Sequence, residues 1–318
     1  MSGPVTPLGI GLQYNPEVAE WFPFHESRID AVEVLLDTVI APLDSPHVIL
    51  PDRLAEIDAL VAAEPTVIAH SNYGAEFGFE PLERTAAVLR HVPAAQRFGS
   101  PWMSDHCFYG DGSWSDLWSS PVQFSRAEVN RLAERASRLQ ELLGVPLAHE
   151  NAAYYVPCPG ADLAEPDFLA ALVEKAGTHL HIDLHNIHTN AVNFGAYTLK
   201  SYLDALPLDR VVEVHVAGGS WSGGVYHDWH DSRVPEPVWE TLEDLLTRSR
   251  PGAVVLEVQG RAHSSHTREL DPHADAELIL GDLERAALIW DRVYGPHSRR
   301  TTALPAAATT TAGPGEPA

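Results

Sequence analysis

Eight short apolar runs recur along the chain, at residues 8–12, 31–36, 66–69, 101–105, 145–149, 179–182, 211–216 and 253–258. Runs of this length read as strands buried on both faces, and that kind of burial belongs to a parallel sheet covered by helices. The intervening sequence supplies the helices, predicted over 51–63, 82–91, 126–143, 166–175, 196–206 and 235–247, with a last one over about 275–293. In 126–143, Val129, Leu132, Ala133, Ala136, Leu139 and Leu143 fall on one helical face, Ser125 stands at the N-cap and Gly144 at the C-terminal stop. Eight strands alternating with helices predict an α/β fold, a single (β/α)8 barrel. An open doubly wound sheet is the alternative, but no Gly-x-Gly-x-x-Gly follows the first strand, which weakens a dinucleotide-binding version. The barrel is expected over 8–295. The Ala/Thr/Pro/Gly-rich segment 297–318 has too little apolar bulk to offset its ordering entropy and is expected to be disordered.

Composition narrows the function. Lys and Arg number 21 against 44 Asp and Glu, a net charge of −23, which repels a phosphate backbone and disfavours nucleic acid as a partner. Two cysteines, Cys107 and Cys158, are too few for a disulfide framework or a Cys-rich zinc module. No apolar run approaches the roughly 18 residues of a membrane span, and the first residues lack a signal-peptide pattern, so a cytoplasmic location is the default expectation.

The chemistry sits at the strand ends. His70, His106, Glu150, Asp183, His215 and Glu257 stand at or near the ends of the third to eighth strands. In a barrel those positions converge at the C-terminal mouth, where such enzymes keep their active sites. One histidine at a strand end is ordinarily a hydrogen-bonded structural residue. A Glu inside an apolar strand is harder to place, because a buried carboxylate needs a cation or a paired proton. Just past the sixth strand comes Asp183-Leu184-His185-Asn186, and the loop after the seventh carries Asp228-Trp229-His230, whose spacing in an extended loop puts both ligating side chains on one side. His70, His106, Glu150, Asp183, His185, His215, Asp228, His230 and Glu257 are therefore metal-ligand candidates. Nine imidazoles and carboxylates suit iron, manganese or zinc, and they suffice for two or three ions sharing a carboxylate such as Glu150. Glu150, Asp183 and His215 are the candidates for the catalytic centre. Asn151, Tyr154, Asn186 and Trp229 are the candidates for substrate contact, although tyrosines in this loop equally suit a cover over the barrel rim. Cys107 points away from its neighbour His106 in a pleated strand and reads as structural.

The ordered motifs Ala69-His70-Ser71, Ser104-Asp105-His106, His149-Glu150-Asn151, Asp183-Leu184-His185-Asn186, Asn193-Phe194-Gly195, Glu213-Val214-His215-Val216-Ala217-Gly218-Gly219 and Asp228-Trp229-His230 resemble the multinuclear non-heme iron-dependent oxidative enzymes, a group of xylose-isomerase-like barrels. The resemblance covers roughly residues 9–261. It implies two or three irons of mixed Fe(II)/Fe(III) valence, O2 as cosubstrate, and oxidative modification of Cys, Asp or Asn in a ribosomally made precursor peptide, with a separate leader-recognition protein as a possible partner. It also implies a grouping: His70, His106 and Glu150 on one iron; Asp183, His215 and Glu257 on a neighbour bridged by Glu150; His185, Asp228 and His230 on a third. The chain departs from the family pattern at Gln13, where Arg is common, at Leu36-Asp37-Thr38, at His185 in place of Asn, at Gly219 in place of His, and after Glu257.

Other functions are compatible with such a barrel. A phosphodiesterase-like metal hydrolase uses similar mouths, but the charge disfavours a DNA substrate. A sugar isomerase usually wants a lysine near its metals, and the two lysines here, Lys175 and Lys200, fall in helix-like segments. A non-catalytic peptide-binding or metal-storage barrel would leave six converging ligands unexplained.

Overall fold

The computed structural model describes residues 5–20, 22, 29–61, 65–72, 77–109, 122–158, 160–258 and 272–296. Eight parallel strands close a barrel: β1 (Gly9–Tyr14), β2 (Ala31–Leu35), β3 (Thr66–Ser71), β4 (Met103–His106), β5 (Leu147–Glu150), β6 (His179–Asp183), β7 (Val211–Val216) and β10 (Ala253–Leu256), which pairs with both β7 and β1. The predicted (β/α)8 architecture is the one observed, and the strands fall where the apolar runs do. Between β7 and β10 lies a small antiparallel hairpin, β8 (Ser220–Ser222) and β9 (Val225–His227), which no periodicity announced. The expected tail, 297–318, lies outside the described residues.

The helices cover the barrel: α1 (Pro16–Ala19), α2 (Pro51–Val61), α3 (Val92–Phe98), α4 (Arg126–Leu143), α5 (Glu165–Ala176), α6 (Leu184–Phe194), α7 (Leu199–Asp204), α8 (Glu236–Arg248) and α9 (Pro272–Tyr294). Two expectations are corrected. The helix expected over 82–91 is instead a 3-10 turn at Leu82–Arg84 and a π-turn at Ala87–His91 that runs on into α3. Pro93 sits in the first turn of α3, where its missing N–H costs nothing, and Gly99 closes the helix in the left-handed conformation. The stretch 184–194, where the sequence predicts no helix, is helix α6, with Asp183 as its N-cap accepting from the backbone N–H of His185 and Asn186.

The strand period of two sends alternate side chains into the lumen. At the bottom Ala31, Ile68, Trp102, Ala148, Val212, Ala253 and Val255 form their own apolar cluster, separate from the larger core between strands and helices. Trp102 plugs it. Its indole lies so close to Gly252 that a Cβ there would stand 2.5 Å from the ring, and its Nε1 donates to Glu213 Oε2 at 2.8 Å. Above this plug the lumen turns polar.

Candidate metal centre

The upper lumen holds Gln13, His70, His106, Glu150, Asp183, His215 and Glu257, one from each of seven adjacent barrel positions. Four groups form among the described residues, within each of which one ligand atom per residue lies within 4.8 Å of the others: His70, His106 and Glu150; Glu150, Asp183, His215 and Glu257; His185, Asp228 and His230; and, deeper in the lumen, Glu33, His181 and His215. Glu150 belongs to two of them. Its Oε2 stands 3.3 Å from His70 Nε2 and 3.1 Å from His106 Nε2, and its Oε1 3.6 Å from His215 Nδ1. All nine residues singled out as ligand candidates thus come together at the mouth.

Hydrogen bonds on the far side of each ring fix which nitrogen faces the centre. His106 Nδ1 stands 3.3 Å from the Ser71 carbonyl oxygen, which only accepts, so Nδ1 carries the proton and Nε2 is bare. Ser104 donates its hydroxyl hydrogen to Glu213 (3.2 Å) and so accepts from His70 Nδ1 (2.8 Å), leaving His70 Nε2 bare. His215 Nε2 donates to Glu33 Oε2 at 2.7 Å, so its Nδ1 is the free nitrogen, 3.1 Å from Glu257 Oε2. His70 Nε2, His215 Nδ1, both Glu150 oxygens and Asp183 Oδ2 are buried with no hydrogen-bond partner. Lone pairs and carboxylate charge buried without a protein partner are costly unless a cation meets them.

The electrostatics lead to the same conclusion. Burial drives the Glu150 carboxyl well above its ordinary range, and His215 offsets only part of that. Asp183 is likewise raised, by burial and then by the charges of Glu257 and Asp228. His106 is pushed down to about 3 by burial and by His70. Against the burial penalty, Glu257 and Glu33 hold His215 well above the ordinary imidazole range, and Asp228 holds His230 up at about 10. Protons are a poor substitute for the positive charge that this many carboxylates call for.

The third group is built at the rim. His185 Nδ1 lies 2.7 Å and His230 Nε2 2.8 Å from the same oxygen, Asp228 Oδ1. The pair Asp228/His230 converges, but not through simple extended alternation. His230 has φ 52°, and it is the one residue other than glycine with positive φ among the described residues. That conformation is unfavourable for a side chain with a Cβ and marks a site where the surroundings over-determine the backbone.

Two of the substrate-contact candidates are corrected. Asn151 is fully buried, and its amide spans the Asp183 backbone, donating to the carbonyl (2.8 Å) and accepting from the N–H (2.9 Å). It straps β5 to β6. The Tyr154 hydroxyl points away from the mouth to Glu165 Oε2 at 3.4 Å, while its ring stacks on Phe194. Tyr155 takes the place expected for Tyr154 and lines the cleft with Asn72, Phe108, Asn186, Asp228, His230 and Glu257. Trp229 stacks on His227 at the rim with ring centroids 4.3 Å apart. Cys107 is buried. Cys158 donates to the Val122 carbonyl and accepts from Phe124 N–H. Lys175 and Lys200 engage Asn130 and Asp204 on the helical exterior.

Turning Tyr154 inward has a consequence for stability. Glu165 is buried beneath Tyr154 and Tyr197, and burial raises its carboxyl to about 7, although the tyrosine hydroxyls pull it back down. A folded-state value above the ordinary 4.5 means that the native state binds the extra proton. Stability is therefore full below about pH 4.5 and falls as the pH rises through 7, by about 3 kcal/mol in total. Glu165→Gln should abolish this loss. Urea unfolding at pH 5.5 and pH 8 would show a smaller drop in the variant than in the parent; equal drops would refute it.

Gln13, Glu33, His181 and Glu213 were not singled out from sequence. The last three were each visible as a polar residue in an apolar strand. His181 and Glu213 also stand two positions before Asp183 and His215, hence on the same strand face.

A closed parallel barrel with imidazoles and carboxylates gathered at its C-terminal mouth defines the class of barrel proteins that carry their chemistry there. Residues 9–271 match the family described as RiPP precursor modification enzyme MbnB/TglH/ChrH, and the chain belongs to that family. Among curated proteins it is 36% identical to a UPF0276 protein of Streptomyces avermitilis over 259 residues, 79% of this chain and 50% of that one, so it spans about half the length of that relative. It is 30% identical to a UPF0276 protein of Anaeromyxobacter sp. over 247 residues, 76% of this chain and 81% of the relative. Among solved structures it resembles a D-allulose 3-epimerase from Methylomonas sp. (TM-score 0.58, 14% identity, 92% of this chain and 99% of that one). It also resembles a D-psicose 3-epimerase from Clostridium cellulolyticum H10 (TM-score 0.55, 12% identity, 90% and 98%). At such identity the likeness is one of fold, the xylose-isomerase-like barrel.

Proposed function

We propose that this chain is a multinuclear iron enzyme that uses O2 to oxidise a residue, Cys or else Asp or Asn, of a ribosomally synthesised precursor peptide. The observation that carries this reading is Glu150 shared between two groups of bare, buried ligand atoms, with a third group at the rim. The donors are nitrogen and oxygen only, a set that suits iron, and the family supplies the peptide. His70, His106 and Glu150 would hold one ion; Asp183, His215 and Glu257, with Glu150, a second; His185, Asp228 and His230 a third. When bound, such ions supply open coordination positions for a substrate atom and O2, and the electrons that O2 reduction draws on.

The protein's own residues define what reaches them. The cleft is small, ≈540 Å³ including the space open to solvent, so it admits a side chain and not a folded partner. Asn186 presents a buried Oδ1 without a partner in the cleft wall, an acceptor suited to a substrate backbone or side-chain N–H. Tyr155 Oη accepts from the Asp228 N–H at 2.9 Å and so ties the β5 loop to the rim group. Phe108 stacks on His106 with centroids 5.0 Å apart and covers one face of that ring.

Anaerobic loading with Fe(II) followed by desalting should leave two or three ions per chain, and O2 uptake should then require the cognate precursor peptide. A zinc-loaded chain that cleaves phosphodiesters, with no peptide-dependent O2 uptake by the iron form, would replace this reading with the hydrolase.

A further inference from the structure

Beneath the mouth, Glu33 is fully buried at the middle of β2, where it also forms a group of converging ligand atoms with His181 and His215. It reaches two members of one ligand group by separate routes. Its Oε2 accepts from His215 Nε2 at 2.7 Å. Its Oε1 accepts from Gln13 Nε2 at 3.0 Å, and the same Gln13 Nε2 lies 2.6 Å from Glu257 Oε1. From these contacts we infer that Glu33 and Gln13 are positioning residues for the ion of the Glu150, Asp183, His215 and Glu257 group, an inference that rests on the metal reading above.

Glu33 orients the His215 ring and fixes its tautomer, so that Nδ1 and not Nε2 faces the centre. A carboxylate behind a ligating imidazole also raises that ligand's basicity. Gln13 donates one amide group to two carboxylates. It draws Glu257 toward β1 by its Oε1 and leaves Oε2 turned to His215 Nδ1 at 3.1 Å. Three strands, β1, β2 and β7, are thereby locked in register with the residue that follows β10, and the direct contacts of Glu33 and Gln13 to the nine ligand candidates all fall in one group. His70 and His106 are oriented by other partners, Ser104 and the Ser71 carbonyl. The rim group has its own contacts through Asp228 and Tyr226.

The inference therefore predicts selectivity: disturbing Glu33 should weaken one ion and spare the rest. The full-length chain and its Glu33→Gln, Glu33→Ala and Gln13→Ala variants are titrated anaerobically with ⁵⁷Fe(II). Metal content is read by mass spectrometry, the individual ions by Mössbauer spectroscopy and folding by near-UV circular dichroism. Glu33→Ala should hold one tight ion fewer than the parent, that ion being bound ~10–100-fold more weakly. Glu33→Gln keeps an acceptor for His215 Nε2 without the charge and should fall between the two. Gln13→Ala should weaken the same Mössbauer component. Parent-like stoichiometry and affinity in Glu33→Ala would overturn the inference, as would an equal loss of every ion in both Glu33 variants. If the parent binds no Fe(II), the metal reading itself falls, and this inference falls with it.

Discussion

Glu150→Ala should lose the two deep ions together and with them all peptide-dependent O2 uptake, while the metal-free protein becomes more stable. The opposite signs follow from one residue's position. Glu150 faces His70, His106 and His215 from the end of β5, fully buried, with neither oxygen hydrogen-bonded. With ions present its carboxylate would serve two of them, and nothing else in the lumen occupies its place. Without ions it is a buried acid whose charged form is so disfavoured that its carboxyl is raised well above the ordinary range, by burial first. Removing a buried carboxyl that has no hydrogen-bond partner is worth ~1–3 kcal/mol when the space is refilled. Glu150→Gln and Glu150→Leu, which refill it better than alanine, should show the larger gain in the metal-free midpoint, about 2–4 °C per kcal/mol. Metal analysis and thermal unfolding of the chelated protein check both halves. Full iron content in Glu150→Ala would remove Glu150 from the bridge, and a lower midpoint in all three metal-free variants would mean that the carboxylate stabilises the empty fold.

The second large effect is expected from one methyl group at Gly219. A Cβ there would stand 2.1 Å from the His227 carbonyl oxygen and 2.9–3.0 Å from Cε1 and Nε2 of His185. The first contact is backbone against backbone and cannot be relieved by a rotamer. Gly219→Ala must therefore push the β8–β9 hairpin outward, and that hairpin leads directly into Asp228 and His230. Because His230 is already held in the left-handed region, the loop has little slack to absorb the shift. We expect the rim ion to be lost, the deep pair kept, and peptide-dependent turnover reduced ~100-fold or more, as when a reacting group is displaced by about 1 Å. A Gly219→Ala chain with the parent's metal count and turnover would show that the hairpin moves freely of the site.

The sequence disclosed the barrel because eight buried strands impose a pattern that little else shares. It disclosed the ligands because a His or a carboxylate at the end of an apolar run is conspicuous. Helix α6 escaped notice because its first turn is Asp183-Leu184-His185-Asn186, residues conspicuous as ligands, and its buried face is part polar. The support beneath the mouth was harder still. Glu33 in Ala31-Val32-Glu33-Val34-Leu35 does stand out, but its partners are 182 and 20 residues away, at His215 and Gln13, and only the closed barrel brings them together. Asn151 and Tyr154 follow the end of β5, where the sequence carries no period to say which way a side chain points, and in the fold one straps β6 and the other turns to Glu165. The closeness of Gly219 to His185 was likewise hidden: they are far apart in the chain, yet a Cβ at 219 would stand 2.9–3.0 Å from the imidazole.

The gradient of burial across the mouth sets an order in time. Glu150 and His215 are wholly enclosed, whereas side chains at the cleft keep part of their surface exposed: Asp228 17%, His106 11% and His230 8%. On the metal reading, an ion bound for the Glu150, Asp183, His215 and Glu257 group has to pass the cleft ligands His106, Asp228 and His230 before they close on ions of their own. Filling is then sequential, innermost first, and emptying runs in reverse. The ions held at the cleft are the ones in exchange with the surroundings, and the innermost stays sealed for as long as they remain.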